Sequence, residues 1–170
     1  GVLVFGAASM GALRAAELHG HGMIGVGAVF QRYAPRARGG VRSFGDTDDA
    51  AVALLHAPEE QGWRPFTVPL VNAEHALRAA LEAGALDPAA HRRCLQAARA
   101  LHYQERTWDA VLSAGRPSAA VLARWNDFAR RGLPDLKADD ARLCLREAAL
   151  AARSSGARPP SLPRAQPSSA

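Results

Sequence analysis

The junction at the start of the chain, where an apolar segment runs through a serine into a helix, constrains the fold most. Residues 1–6 (GVLVFG) predict a buried β-strand, and residues 12–18 predict the start of a helix. Ser9 lies in the turn between them. A strand that leads directly into a helix places this hydroxyl beside the unpaired N–H groups of the helix N-terminus. The junction can therefore hold a nucleophile or an anion, and the simpler alternative is that Ser9 only caps the helix.

The rest of the chain is predominantly helical by its pattern. Periodic apolar positions and helix-boundary residues predict six further helices: 26–33, 69–83, 88–101, 108–114, 119–130 and 138–153. Turn-forming residues predict a loop at 34–47, and the apolar run at 48–57 fits either a buried strand or a short helix. The predicted fold class is α/β: a strand–Ser–helix unit belonging to a small, incomplete sheet, followed by a mainly helical C-terminal part.

The same pattern predicts one domain and a tail. We expect residues 1–153 to form the domain, with its native N-terminal part upstream of Gly1. Residues 154–170 are rich in Pro, Ser and Arg and carry no face that could join a core, so we expect them to be disordered.

Composition argues against several classes of protein. The net charge is +5, but the basic residues are scattered and not interleaved with aromatic ones, so we do not expect nucleic-acid binding. No apolar run approaches the ~18 residues that a membrane-spanning helix needs. Cys94 and Cys144 are isolated, which gives neither a zinc signature nor a disulfide framework and favours a reducing cytoplasm. We predict no metal and no cofactor.

A nucleophilic serine requires a base, and the chain offers two kinds. All but one of its 21 Lys and Arg residues are arginines, and Lys137 is the exception. A lysine can lose its proton when buried, whereas an arginine cannot. The N-terminus of the predicted helix that follows Lys137 lowers its pKa, and the neighbouring Asp135, Asp139 and Asp140 raise it, so both outcomes stay open. His56 is the alternative base, for an esterase-like hydrolase.

Four segments of the chain resemble those of TfuA-like proteins. The longest is 6–18 (GAASMGALRAAEL), and 22–27 (GMIGVG), 70–72 (LVN) and 105–108 (ERTW) follow it in order. The resemblance extends from residue 1 to about residue 150. It implies a partner of YcaO enzymes, which use ATP to activate a backbone amide of a ribosomal precursor peptide for replacement of oxygen by sulfur. It also implies that the protein hydrolyses a ThiS-type carrier-protein thiocarboxylate and supplies sulfide, through a Ser–Lys dyad.

Matched to the family pattern residue by residue, Ser9 is the nucleophile, and the N–H groups of Met10 and Gly11 hold the oxyanion. Lys137 fits the family's Lys-x-x-Asp-Ala stretch and is one candidate base. The other is a lysine of a family segment that lies upstream of Gly1.

The chain departs from the family pattern at two places. The acidic run before the apolar segment, usually Asp-Asp-Glu in the family, is Asp49 followed by two alanines, and Glu74 stands where the family often has arginine. Asp48, Asp49 and Arg106 are the residues that we expect to contact a partner. The alternative function is a non-catalytic adaptor that docks YcaO and its peptide.

Overall fold

A β-α-β unit forms the N-terminal part of the molecule. The structure is a computed structural model that describes residues 2–34 and 49–154. Strand β1 (Phe5–Gly6) pairs in parallel with β2 (Ile24–Gly25), with Phe5 opposite Ile24 and Gly6 opposite Gly25. Helix α1 (Met10–Leu18) and a turn of 3₁₀-helix connect the two strands, as a parallel pair requires a crossover connection.

Helices make up most of the remaining described chain. In order they are α2 (Gly27–Tyr33), α3 (Asp49–Val52), α4 (Leu70–Glu82), α5 (Pro88–Ala100), α6 (Trp108–Gly115), α7 (Ala119–Arg130) and α8 (Leu136–Ser154). This arrangement confirms the predicted fold class, a small N-terminal sheet followed by a mainly helical part. Within the described ranges, no helix combines the length and the apolar character needed to cross a lipid bilayer.

One apolar core joins the sheet unit to the helices. Helix α1 packs on α2 and α3, α4 packs on α5, and α8 contacts α2, α4 and β1. The largest fully buried side chains come from α1 to α6 and the turn after α4: Leu13, Val29, Val52, Val71, Leu77, Leu86, Cys94 and Val111. Helix α8 thereby links the C-terminal part of the chain to the Ser9 junction.

The predicted N-terminal strand is longer than the observed one. Only residues 5–6 form β1, because β2 is equally short, although the carbonyl of Val4 still accepts a hydrogen bond from Ile24 N at 2.9 Å. In the apolar run at 48–57, α3 shows that the short helix was the correct alternative for its first part, and His56 forms an isolated antiparallel bridge with Pro65. The predicted loop beyond residue 34 and the predicted tail beyond residue 154 lie outside the described residues.

Glu74 connects three helices through two ion pairs. From α4 it pairs with Arg32 of α2 and with Arg99 of α5, whose Nε lies 2.8 Å from Glu74 Oε1. Burial acts to raise the pKa of Glu74, but the two guanidinium groups outweigh it and lower the pKa below its usual value. Glu74, at the position where the family often carries arginine, therefore joins α2, α4 and α5 in this chain.

We expect Glu74→Gln to lower the free energy of unfolding by about 1 kcal/mol at pH 7. A carboxyl whose folded pKa is depressed stabilises the fold above its unfolded pKa, and this contribution is lost as pH falls through the folded pKa. The difference between wild type and variant, measured by urea unfolding, should shrink steadily below about pH 4.3. Asp139→Asn, which removes a surface pair with Arg142, is the control and should change little. If the difference in the free energy of unfolding between wild type and Glu74→Gln does not change with pH, the charge of Glu74 does not stabilise the fold.

Candidate functional site

Ser9 lies where β1 ends and α1 begins. It occupies the N-cap position, and its carbonyl accepts hydrogen bonds from the N–H groups of Ala12 (2.9 Å) and Leu13 (3.4 Å). The side chain, however, makes no capping hydrogen bond. Ser9 therefore occupies the N-cap position of α1, but its side chain does not cap the helix. Its half-buried hydroxyl is left available for other chemistry.

The backbone just before Ser9 is strained. Ala8 has a φ of +68°, in the left-handed region that residues with a Cβ adopt only at a cost. The same turn brings β1 close against α1, since a Cβ added at Gly6 would lie 2.2 Å from the carbonyl oxygen of Gly11. Strain of this kind is held by the surrounding packing and is concentrated at functional sites.

The first two N–H groups of α1 belong to Met10 and Gly11. In the described part of the chain, the N–H groups of Met10 and Gly11 have no backbone acceptor, as expected for the first turn of a helix. Met10 is exposed and Gly11 is half-buried. Both donors thus follow directly in sequence after the Ser9 hydroxyl, at the positive end of α1.

Lys137 lies in the first turn of α8, with a half-buried side chain. Its amine Nζ donates a 2.7 Å hydrogen bond to the carbonyl oxygen of Val52, the last residue of α3. Burial lowers the pKa of Lys137 and outweighs the charge of Asp135, which acts to raise it. The direction of the shift is therefore a lowered pKa, and its cause is burial rather than the helix N-terminus considered from the sequence.

The other two nearby carboxylates are bound elsewhere. Asp140 is buried, and its two oxygens accept hydrogen bonds from Ala28 N (2.8 Å) and Val29 N (2.7 Å) at the start of α2. Asp139 pairs with Arg142 on the exposed side of α8. These contacts explain why the acidic surroundings of Lys137 do not dominate its pKa.

Ser9 and Lys137 come from parts of the fold that are in contact. Helix α8 contacts β1, and α1 contacts α3, whose last residue accepts the hydrogen bond from Lys137. In the described chain no hydrogen bond joins the two side chains, and the hydrogen bond of the Lys137 amine goes to the carbonyl oxygen of Val52. Catalytic hydrogen bonds often form only once substrate is bound.

Asn72 and Asp135 were not among the candidate site residues predicted from the sequence. Asn72 Oδ1 accepts a hydrogen bond from the backbone N of Lys137 (3.1 Å), and its Nδ2 donates to Asp135 Oδ1 (2.8 Å). The capping position of Asp135 is readable from its place before a predicted helix. The contact with Asn72 spans more than sixty residues and has no local signal in the sequence.

The predicted partner contacts fall in different environments. Asp49 is exposed at the first residue of α3, and Asp48 lies outside the described residues. Arg106 is buried, and its guanidinium donates to the carbonyl oxygens of Ala98 and Leu101, each at 2.8 Å. We therefore assign Arg106 to internal packing and leave it out of the proposed partner surface.

The alternative base, His56, belongs to the exposed segment between α3 and α4. Its Nδ1 lies 2.8 Å from the carbonyl oxygen of Ala57, which can only accept, so Nδ1 carries the proton in this contact. The ring packs edge-on against Trp63, with centroids 5.1 Å apart. No three His, Cys, Asp or Glu side chains of the described chain are grouped so that they could hold a metal ion.

The family model described as TfuA-like protein matches residues 1–107. This chain belongs to the TfuA-like family. The matched part contains the Ser9 junction and Asn72, whereas Lys137 lies beyond it. TfuA-like proteins are associated with YcaO enzymes in peptide thioamidation. No curated protein is similar enough to this TfuA-like chain to count as a match.

Proposed function

We propose that this TfuA-like protein hydrolyses the thiocarboxylate of a ThiS-type carrier protein and supplies the sulfide to a YcaO enzyme, which modifies a ribosomal precursor peptide. The observation that carries the proposal is the Ser9 hydroxyl, which makes no capping hydrogen bond, follows a strained turn and precedes two N–H groups without a backbone acceptor in the described part of the chain. A nucleophile that makes no capping hydrogen bond and directly precedes oxyanion donors in the chain fits the arrangement that acyl transfer requires.

The reaction we propose has two steps. Ser9 Oγ attacks the thiocarboxylate carbon while the neutral Lys137 amine takes the hydroxyl proton, and the N–H groups of Met10 and Gly11 stabilise the oxyanion. The C–S bond then breaks, Lys137 returns the proton to the departing sulfur, and the carrier remains as an ester on Ser9. Water hydrolyses this ester, with Lys137 again as base. One water molecule is consumed, and the products are the carrier carboxylate and hydrogen sulfide.

Lys137 supports this scheme because burial favours its neutral form. Its amine would have to leave the carbonyl of Val52 and turn towards Ser9 when the carrier binds. Asp49, exposed at the start of α3, remains our candidate for a contact with a partner, together with Asp48.

A non-catalytic adaptor is the second candidate. The observation in its favour is an exposed apolar surface on the segment between α3 and α4, formed by Leu55, Trp63 and Phe66. Trp63 also has a positive φ of 56°, so the backbone presents this side chain at an energetic cost. Such a surface fits a protein that docks YcaO and its peptide.

Sulfide release from a thiocarboxylated ThiS-type carrier separates the two functions. We expect the purified full-length protein to release sulfide catalytically when YcaO is absent, because the proposed nucleophile, donors and base all belong to one chain. A carrier with an ordinary C-terminal carboxylate provides the blank. Faster thioamidation by YcaO without any sulfide release from the carrier alone would overturn the hydrolase and establish the adaptor.

A further inference from the structure

The side chain of Asn72 connects α4 to the start of α8 through both of its polar atoms. Its Nδ2 donates to Asp135 Oδ1 at 2.8 Å, and its Oδ1 accepts from the backbone N of Lys137 at 3.1 Å. One amide therefore fixes the residue that carries the proposed base and the carboxylate two positions before it.

Asp135 is held from two sides. The oxygen that accepts from Asn72 also accepts from the backbone N of Ala138 at 2.9 Å, which caps the first turn of α8. These two hydrogen bonds to Oδ1 hold the carboxylate against α4 and the N-terminus of α8. The Lys137 amine instead binds the carbonyl of Val52, on α3.

Among the described residues, Asp135 is the carboxylate whose charge acts on Lys137. Its charge works to raise the pKa of the lysine, against the larger effect of burial. Among the described residues of the packed elements, Asp139 pairs with Arg142, Asp140 accepts from the α2 amides, and Glu74 pairs with Arg32 and Arg99. Asp49 is exposed at the first residue of α3, and His75 follows Asn72 further along α4.

We propose that Asn72 is a positioning residue that fixes the Asp135 carboxylate against the start of α8 and so prevents it from pairing with the Lys137 amine. If Asn72 is removed, Asp135 loses one of its two donors and gains freedom to approach the ammonium form of Lys137. An ion pair at this half-buried position favours the protonated lysine, which cannot act as a base. The inference rests on the proposed function only for the catalytic role of Lys137, because the positioning itself can be measured without substrate.

The lysine content of the chain makes a direct measurement feasible. Lys137 is the only lysine among residues 1–170, so in protein labelled with ¹³C-lysine its side-chain NMR titration is identified as the signal that Lys137→Arg removes. We expect Asn72→Ala to move the Lys137 titration to higher pH, and Asn72→Asp, which keeps the shape but removes the donor and adds a charge, to move it further. Asp135→Asn keeps a capping oxygen and should move the titration to lower pH.

The double variant decides the mechanism. In an Asp135→Asn background, Asn72→Ala should no longer shift the titration upward, because the carboxylate that it would release is gone. An upward shift of equal size in both backgrounds would mean that Asn72 only shields Lys137 from water, and it would overturn the proposal. An unchanged titration in Asn72→Ala and Asn72→Asp would also overturn it.

Sulfide release tests the connection to catalysis. The acidic limb of the pH–rate profile should move in Asn72→Ala in parallel with the Lys137 titration, with kcat lost at pH 7 and recovered at higher pH. If the titration moves as expected and the rate profile stays in place, the positioning by Asn72 stands and Lys137 is not the base. Failure of the proposed function is thereby distinguished from failure of this inference.

Discussion

Replacing Ser9 with alanine is expected to slow sulfide release by at least about 10³-fold while the temperature of thermal unfolding stays unchanged. Loss of a serine nucleophile removes the covalent route and leaves only the contribution of binding and the oxyanion donors. Stability should be unaffected because the Ser9 side chain makes no capping hydrogen bond. Single-turnover sulfide release and a thermal melt on the same preparations measure the two effects.

Ser118 provides the matched control. It is the N-cap of α7, and its Oγ accepts a hydrogen bond from Val121 N at 3.4 Å. Ser118→Ala should cost about 1 kcal/mol, or about 3 °C in unfolding temperature, and should leave sulfide release intact. If Ser9→Ala loses activity but not stability and Ser118→Ala loses stability but not activity, Ser9 acts in the reaction and Ser118 acts as a cap. A destabilised Ser9→Ala that retains its activity would show that Ser9 is a structural cap after all.

Local signals in the sequence predicted the helices of the C-terminal part well. Asp87 followed by proline predicted the start of α5, and in the structure Asp87 accepts a hydrogen bond from Ala90 N at 2.8 Å and proline is the first helical residue. The bounds predicted for α7 are those observed, Ala119–Arg130. Caps and apolar periodicity are properties of neighbouring residues, so one sequence is enough to read them.

The predictions that failed or stayed open depend on distant partners. The length of β1 is limited by how many residues β2 offers for pairing, and the choice between strand and helix at 48–57 depends on what packs there. The surroundings of Lys137 are equally non-local, since Val52 lies 85 residues away and Asn72 lies 65 residues away. The sequence could propose the lysine, but its pKa is lowered by burial, and burial depends on the packing of segments that are distant in the chain.

The second large effect concerns the contact that holds the Ser9 junction in place. We expect Gly6→Ala to lower the free energy of unfolding by about 3 kcal/mol, the range of severe overpacking. The added Cβ would lie 2.2 Å from the carbonyl oxygen of Gly11, 2.9 Å from Ala15 Cβ and 2.6 Å from Met23 Cε. The methionine end can move, but the Gly11 carbonyl belongs to α1, so the helix must shift away from β1.

Gly11→Ala is the matched variant on the opposite side of this contact. Its Cβ would meet Gly6 Cα at 3.7 Å, an ordinary van der Waals distance, and alanine favours helix more than glycine does. Stability should therefore be unchanged or slightly higher, and sulfide release should persist because alanine keeps the N–H group. Urea unfolding of Gly6→Ala and Gly11→Ala measures the difference in stability between the two variants. Equal unfolding midpoints would mean that β1 and α1 are not in close contact, and the placement of Ser9 beside the first N–H groups of α1 would lose its structural basis.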